Sequence, residues 1–242
     1  MASAPRDAAT VIVARDSGTG IEVYMLRRSS NSPAVPDAYV FPGGTIDRGD
    51  RSPMARMRLV GDWRPAEPAF THAAIRETFE ECGLLFATTP VDPERLRAAR
   101  TKMLEGTRSF NETLTDLDVQ LDAKAIRYFS RWITPPSIQH RFDARFYVAA
   151  LPPGQVAEAD AFETYDGRWV KPLEMIEAGN ANEVQIVFPT IKHLERVSQF
   201  SDVASLLHFA GGKTTIPVTP ETRENEDGTY LYHLPPTIEN TW

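Results

Sequence analysis

Residues 76 to 84 read Arg76-Glu77-Thr78-Phe79-Glu80-Glu81-Cys82-Gly83-Leu84 and stop at a glycine, as a helix end does. On a helix, Glu77, Glu80 and Glu81 stand at i, i+3 and i+4 and share one face. Ile75, Phe79 and Cys82 fall at i, i+4 and i+7 and form an apolar stripe pointing elsewhere. A chain with this run must rest a helix on its core through one side and hold three carboxylates together on the other. Clustered carboxylates raise one another's pKa and cost stability unless a cation sits among them. Hard divalent cations such as Mg2+ or Mn2+ take oxygen ligands and meet that need. Spacing alone leaves a solvated acidic face as the commoner alternative.

A second segment lies upstream, Val40-Phe41-Pro42-Gly43-Gly44-Thr45-Ile46-Asp47-Arg48-Gly49-Asp50. Asp37 to Phe41 reads as a short strand and Pro42-Gly43-Gly44 as a turn or loop. Paired glycines let a backbone come close to an anion or a metal. Alone the tripeptide is an ordinary turn; ahead of an acidic helix it completes a two-part pattern. That pattern resembles the box of the Nudix hydrolases: Gly, five residues, Glu, seven residues, Arg-Glu, an aliphatic, any residue, Glu-Glu, any residue, Gly, an aliphatic. Gly44 opens it, and Arg76-Glu77, Glu80-Glu81, Gly83 and Leu84 close it. Thr78 stands where the family has an aliphatic residue. Asp50 stands where it has Glu, one methylene short. Residues 51 to 75 replace the usual seven. Pro53, Gly61, Pro65 and Pro68 make residues 51–70 read as a surface insertion within the box. A long insertion here resembles the branch containing the coenzyme A diphosphatases.

The resemblance implies an α/β/α sandwich with a mixed β-sheet, one Nudix domain over residues 1–242, plus helical insertions. It implies metal-dependent hydrolysis of a diphosphate bond in a nucleoside diphosphate linked to another group, with coenzyme A or an acyl-CoA as the first choice. ADP-ribose, nucleotide sugars and dinucleoside polyphosphates are the alternative substrates, and a non-catalytic ligand sensor is the alternative class. Glu77, Glu80, Glu81 and the Gly44 carbonyl are the implied metal ligands, for Mg2+ or Mn2+. Arg76 orients Glu77, which is also a candidate base. Glu163 is a candidate additional carboxylate.

Other positions follow from their chemistry. Arginine forks match phosphate oxygens, so Arg27, Arg28 and Arg141 are candidate substrate contacts, with Asp143 to orient Arg141. His72, beside Thr71, reads as part of a helix-capping neighbourhood. A chain of 242 residues with 42% hydrophobic content can bury one good core. No apolar run is long enough to span a membrane. A net charge of −7 argues against broad nucleic-acid binding but allows an anionic small substrate, because bound metals invert the local field. The start lacks an apolar signal core, Glu239 to Trp242 is no peroxisomal tripeptide, and Cys82 is a lone cysteine. These features together predict a cytoplasmic location.

Thr10 to Ala14 and Ile21 to Leu26 read as paired strands, and so do Arg127 to Ile133 and Arg145 to Leu151. Arg168 to Lys171 reads as a short strand. Asp92 to Thr107 reads as an added helix, and Leu173 to Ala178 as a short one. Phe188 to Ala210 reads as one long helix whose stripe of Ile191, Leu194, Val197, Phe200, Val203 and Leu207 is core or an oligomer contact, which leaves a homodimer open. Residues 212–242 form an arm, with Thr214 to Val218 and Thr229 to Leu234 as a hairpin.

Overall fold

The computed structural model describes residues 3–32, 35–63, 65–160, 164–226, 230–238 and 242. Alternation builds its centre. In β1 (Arg6–Ser17), Ala9, Val11 and Val13 enter one apolar cluster while Ile12 and Ala14 enter another. In β2 (Gly20–Arg28), Tyr24 and Leu26 join the first cluster, and Val23 and Met25 the second. Side chains of successive strand residues point to opposite faces, so both faces of this sheet are covered.

The chain continues through β3 (Ala38–Val40), β4 (Gly43–Thr45), α1 (Pro53–Arg58), β5 (Leu59–Val60), α2 (Pro68–Cys82), α3 (Pro93–Leu104), α4 (Phe110–Leu117), β6 (Leu121–Asp122), β7 (Ile126–Ile133) and β8 (Phe142–Ala150). It closes with β9 (Thr164–Val170), α5 (Pro172–Asn180), β10 (Gln185–Ile186), α6 (Phe188–Val197), α7 (Val203–Gly212), β11 (Pro217–Val218), β12 (Glu221–Glu224) and β13 (Tyr230–His233). Among the described residues, nine strands form one mixed sheet in the order β10-β3-β2-β1-β8-β7-β11, with β4 added to β1 and β9 to β2. β1 and β8 run parallel, from Arg6 opposite Phe142 to Ala14 opposite Ala150. Helices α2, α3 and α4 bury their apolar residues in the first cluster, and α6 and α7 in the second. This is the expected layered sandwich. Among the described residues, no helix is long and apolar enough to cross a membrane.

Two expectations need correction, and one helix is added. The helix expected over 188–210 is two helices. Asp202 adopts an extended backbone, and its carboxylate accepts the Ser205 amide at 2.7 Å, starting α7 afresh. A side chain that caps a new helix competes with continuing the old one. The break resets the phase, so Leu206 is fully buried and Leu207 only partly. In the tail, Pro217–Val218 pairs with the edge of β7, opposite Arg131 and Trp132. The hairpin forms instead between β12 and β13, from Glu221 opposite His233 to Glu224 opposite Tyr230. Trp242 packs on the body against Trp132, with ring centroids 4.9 Å apart. Finally, α4 went unforeseen although its signal is present: Ser109 and Glu112 form a capping box.

The spacer within the box is partly built into the body. Met54 and Met57 of α1 are exposed, but Ala55 and Leu59 are buried, and Leu59 pairs with Leu121 of β6.

Candidate active site

α2 begins with Pro68 in its first turn and ends at Gly83, whose φ of 73° is the left-handed conformation that closes a helix. Ile75, Phe79 and Cys82 are fully buried, as the stripe predicts. The acidic face is not solvated either. β4 lies across it, so Glu77 and Glu81 are buried and only Glu80 is half-buried. The Gly43 amide donates to Glu81 Oε2 at 2.8 Å. A Cβ on Gly44 would stand 2.5 Å from the Glu77 carboxyl carbon, so glycine alone lets strand and carboxylate meet.

Arg76 ties these parts together. Its Nη1 lies 2.9 Å from both Glu77 Oε1 and Glu80 Oε2. Its Nη2 donates to the Thr45 carbonyl and to Asp50 Oδ2, both at 2.9 Å, and its Nε to Asp50 Oδ1 at 3.0 Å. Asp50 therefore makes the arginine contact despite its shorter side chain. A reciprocal turn, in which Asp47 and Asp50 each accept the other's amide at 2.9 Å, holds it there. His72 is not a capping residue. It lies inside α2, 1% exposed, with Nδ1 2.7 Å from Asp50 Oδ1 and Nε2 3.2 Å from Asn111 Oδ1 of α4. Burial alone would raise the Asp50 carboxyl, but hydrogen bonds from His72 and Arg76 and the guanidinium charge hold it down at about 2.

The carboxylates of the acidic helix face behave oppositely. Burial lifts Glu77; Arg76 opposes this, Glu80 adds to it, and the result is about 8. Burial and the Glu77 charge push Glu81 well above the usual carboxylate range, and burial also raises Glu80. Negative charge here is under-compensated by Arg76 alone. The donor set is all oxygen, which suits a hard divalent cation. Among the described residues, no three His, Cys, Asp or Glu side chains already stand at ligand spacing; Arg76 and the Gly43 amide each hold one oxygen of the carboxylates they meet.

The other candidates divide. Arg28 donates to Ser32 Oγ, and its charge reaches Glu81, lowering that carboxyl's pKa. Arg27 is engaged by Asp37 at 3.0 Å and lies over the Tyr165 ring. Arg141 is held by the carbonyls of Thr134 and Ser3, at 3.0 and 2.7 Å, not among the acidic residues. Asp143 pairs with Arg131 and Arg145 instead of orienting Arg141. Glu163 lies outside the described residues. Sequence reasoning missed Asp160, which is buried, caps the Thr164 amide at 3.1 Å and raises the Glu81 pKa through its charge.

More than half of the chain, residues 54–197, matches the family model described as the NUDT19 Nudix domain. The chain belongs to this Nudix family. Residues 54–67, which part the glycine loop from the acidic helix, thus fall inside the Nudix match. The acyl-coenzyme A diphosphatase NUDT19 of Xenopus laevis is 27% identical over 237 residues, covering 78% of this chain and 62% of that protein. The protein of the same name from Homo sapiens is 25% identical over 243 residues, covering 80% and 65%. The chain thus spans less than two thirds of the length of these curated relatives. A solved Nudix hydrolase from Alicyclobacillus acidocaldarius is 28% identical with a TM-score of 0.72, over 85% of this chain and 96% of that one.

Proposed function

We propose that this Nudix protein hydrolyses the diphosphate bond of coenzyme A or an acyl-CoA, using Mg2+ or Mn2+ held by the acidic face of α2. The observation that carries the reaction class is the cluster of buried Glu77 and Glu81 and half-buried Glu80 against the Gly43-Gly44 strand, with pKa values raised by burial. The relatives named acyl-coenzyme A diphosphatases support the substrate class.

Glu80 and Glu81 are the main ligands, helped by Glu77 and the Gly44 carbonyl. A divalent cation bound there neutralises the diphosphate and lowers the pKa of a bound water. Arg76 fixes Glu77 through its 2.9 Å ion pair, and Asp50 with His72 fixes Arg76. Glu77 is thereby oriented either as a ligand or as the acceptor of the water's proton. Arg28, whose charge lowers the Glu81 pKa, is the arginine we assign to a phosphate oxygen. Water adds to one phosphorus and the bridging oxygen leaves, giving adenosine 3′,5′-bisphosphate and phosphopantetheine or its acyl form. The buried lone cysteine, Cys82, suits a reducing compartment such as the cytoplasm.

The test is a panel of coenzyme A, acyl-CoA, ADP-ribose, nucleotide sugars and dinucleoside polyphosphates with Mg2+ or Mn2+, read by mass spectrometry. Cleavage of the CoA compounds to the stated products, stopped by a chelator, is expected. Hydrolysis of ADP-ribose without coenzyme A would overturn the substrate. Metal-independent silence across the panel would favour a ligand sensor.

A further inference from the structure

The last turn of α2 is gripped from outside the box. Arg100 of α3 donates twice to the carbonyl of Glu80, through Nε at 3.0 Å and Nη2 at 2.8 Å. The same guanidinium lies against Gly83, where a Cβ would meet its Nη1 at 3.2 Å. The neighbouring Cys82 carbonyl takes the Glu158 amide at 3.0 Å. Beyond the helix, the Gln155 side chain pairs with Leu85 twice, accepting its amide at 2.8 Å and donating to its carbonyl at 2.9 Å. The final carbonyls of a helix have no partner within it and carry the negative end of its dipole, so a guanidinium is a strong partner there.

We propose that Arg100 is a positioning residue for the metal-binding carboxylates, so that α3 is a working part of the site. This rests on the reading of Glu77, Glu80 and Glu81 as metal ligands. Arg100 grips the backbone of Glu80 itself, and Glu81 follows it directly. A twist of that turn moves both carboxylates relative to Gly43 and Gly44, which β1 holds through Thr10 and Ala9. The fork geometry matters because two parallel N–H groups fix an angle as well as a distance. A lysine keeps the charge and loses the fork.

The experiment is Mn2+ titration of the full chain, followed by electron paramagnetic resonance of the free ion, for wild type, Arg100→Lys, Arg100→Met and Glu81→Gln. Positioning predicts that both Arg100 variants bind Mn2+ roughly 10-fold more weakly, as loss of a group supporting the ligands does. It also predicts faster amide exchange at Glu81 and Gly83 in Arg100→Lys, with unchanged circular dichroism. If Arg100 acted only through its charge, lysine would bind as wild type and methionine more tightly. If it only stabilised the fold, melting temperature would fall with Mn2+ affinity intact. Either pattern overturns the proposal while leaving the metal site standing. Should wild type fail to bind Mn2+, or Glu81→Gln bind it equally, the metal reading itself falls and takes this inference with it. Should Arg100→Met not fold, Arg100→Lys carries the test.

Discussion

Replacing Asp50 with asparagine removes the charge that neutralises Arg76 in a site where both side chains are withdrawn from water, at 0% and 8% exposure. The variant keeps the shape and one accepting oxygen, so the loss is chiefly electrostatic. The fall of the Asp50 pKa from 3.8 to about 2 is worth roughly 2–3 kcal/mol of native stability. Breaking a buried pair from one side costs about 3–5 kcal/mol, so this figure is conservative. For a domain of this size, it lowers the melting temperature by roughly 5–10 °C. The pH dependence has a definite sign. A depressed folded-state pKa contributes stability above the unfolded value, and that contribution is lost as pH falls through the folded one. The gap between wild type and Asp50→Asn in urea unfolding is therefore constant from pH 7 to about 5. It shrinks by about 1 kcal/mol by pH 3 and closes below pH 2. A variant as stable as wild type at pH 7, or a gap that does not narrow towards pH 3, would refute the network as the reason Asp50 serves here.

Glu81→Gln keeps size but removes a ligand charge, and is expected to cut kcat at least ~100-fold, about 2.7 kcal/mol; near-normal turnover would remove Glu81 from the site. Gly44→Ala drives a methyl into Glu77 and should cost roughly 10-fold or more in kcat with the fold intact by circular dichroism, whereas wild-type rates would mean that β4 yields freely. On the opposite face of the sheet, burial holds His193 down at about 3, stacked on Phe146 and hydrogen-bonded to Ser130 and the Pro189 carbonyl. The unfolded chain takes up its proton below about 6.5, so stability drops by up to ~1.4 kcal/mol per pH unit as pH falls from there towards 3. Urea midpoints of His193→Gln should lack that component between pH 7 and 5, and an unchanged slope would contradict it.

Much of the site was legible because its signals are local. Helix periodicity places Glu77, Glu80 and Glu81 together whatever surrounds them, and Gly83 ends the helix by its own conformational freedom. The strands of the sheet core announce themselves through alternation. Elements whose limits depend on competition between neighbours were read less well. Asp202 broke a continuous apolar stripe by capping a new helix. The edge of β7 claims Pro217–Val218, which the sequence alone reads as part of the tail hairpin.

Sequence by itself determined the helix, its acid content, the glycine loop that approaches it and the family to which that pattern leads. Tertiary structure alone decided what each of the candidate arginines is engaged by. Arg27, Arg28 and Arg141 are chemically alike, and only their partners separate them: Asp37, Ser32 and the carbonyls of Thr134 and Ser3. It also decided the fate of Asp50. The residue looked one methylene too short until the turn at Asp47 carried its backbone to Arg76, with His72 beside it. Periodicity reports contacts within a turn or two of chain. Arg76 and the glutamates act on one another along the helix, but Asp50, Asp160 and Arg28, whose charges also reach this face, lie far away in sequence, and only packing brings them near.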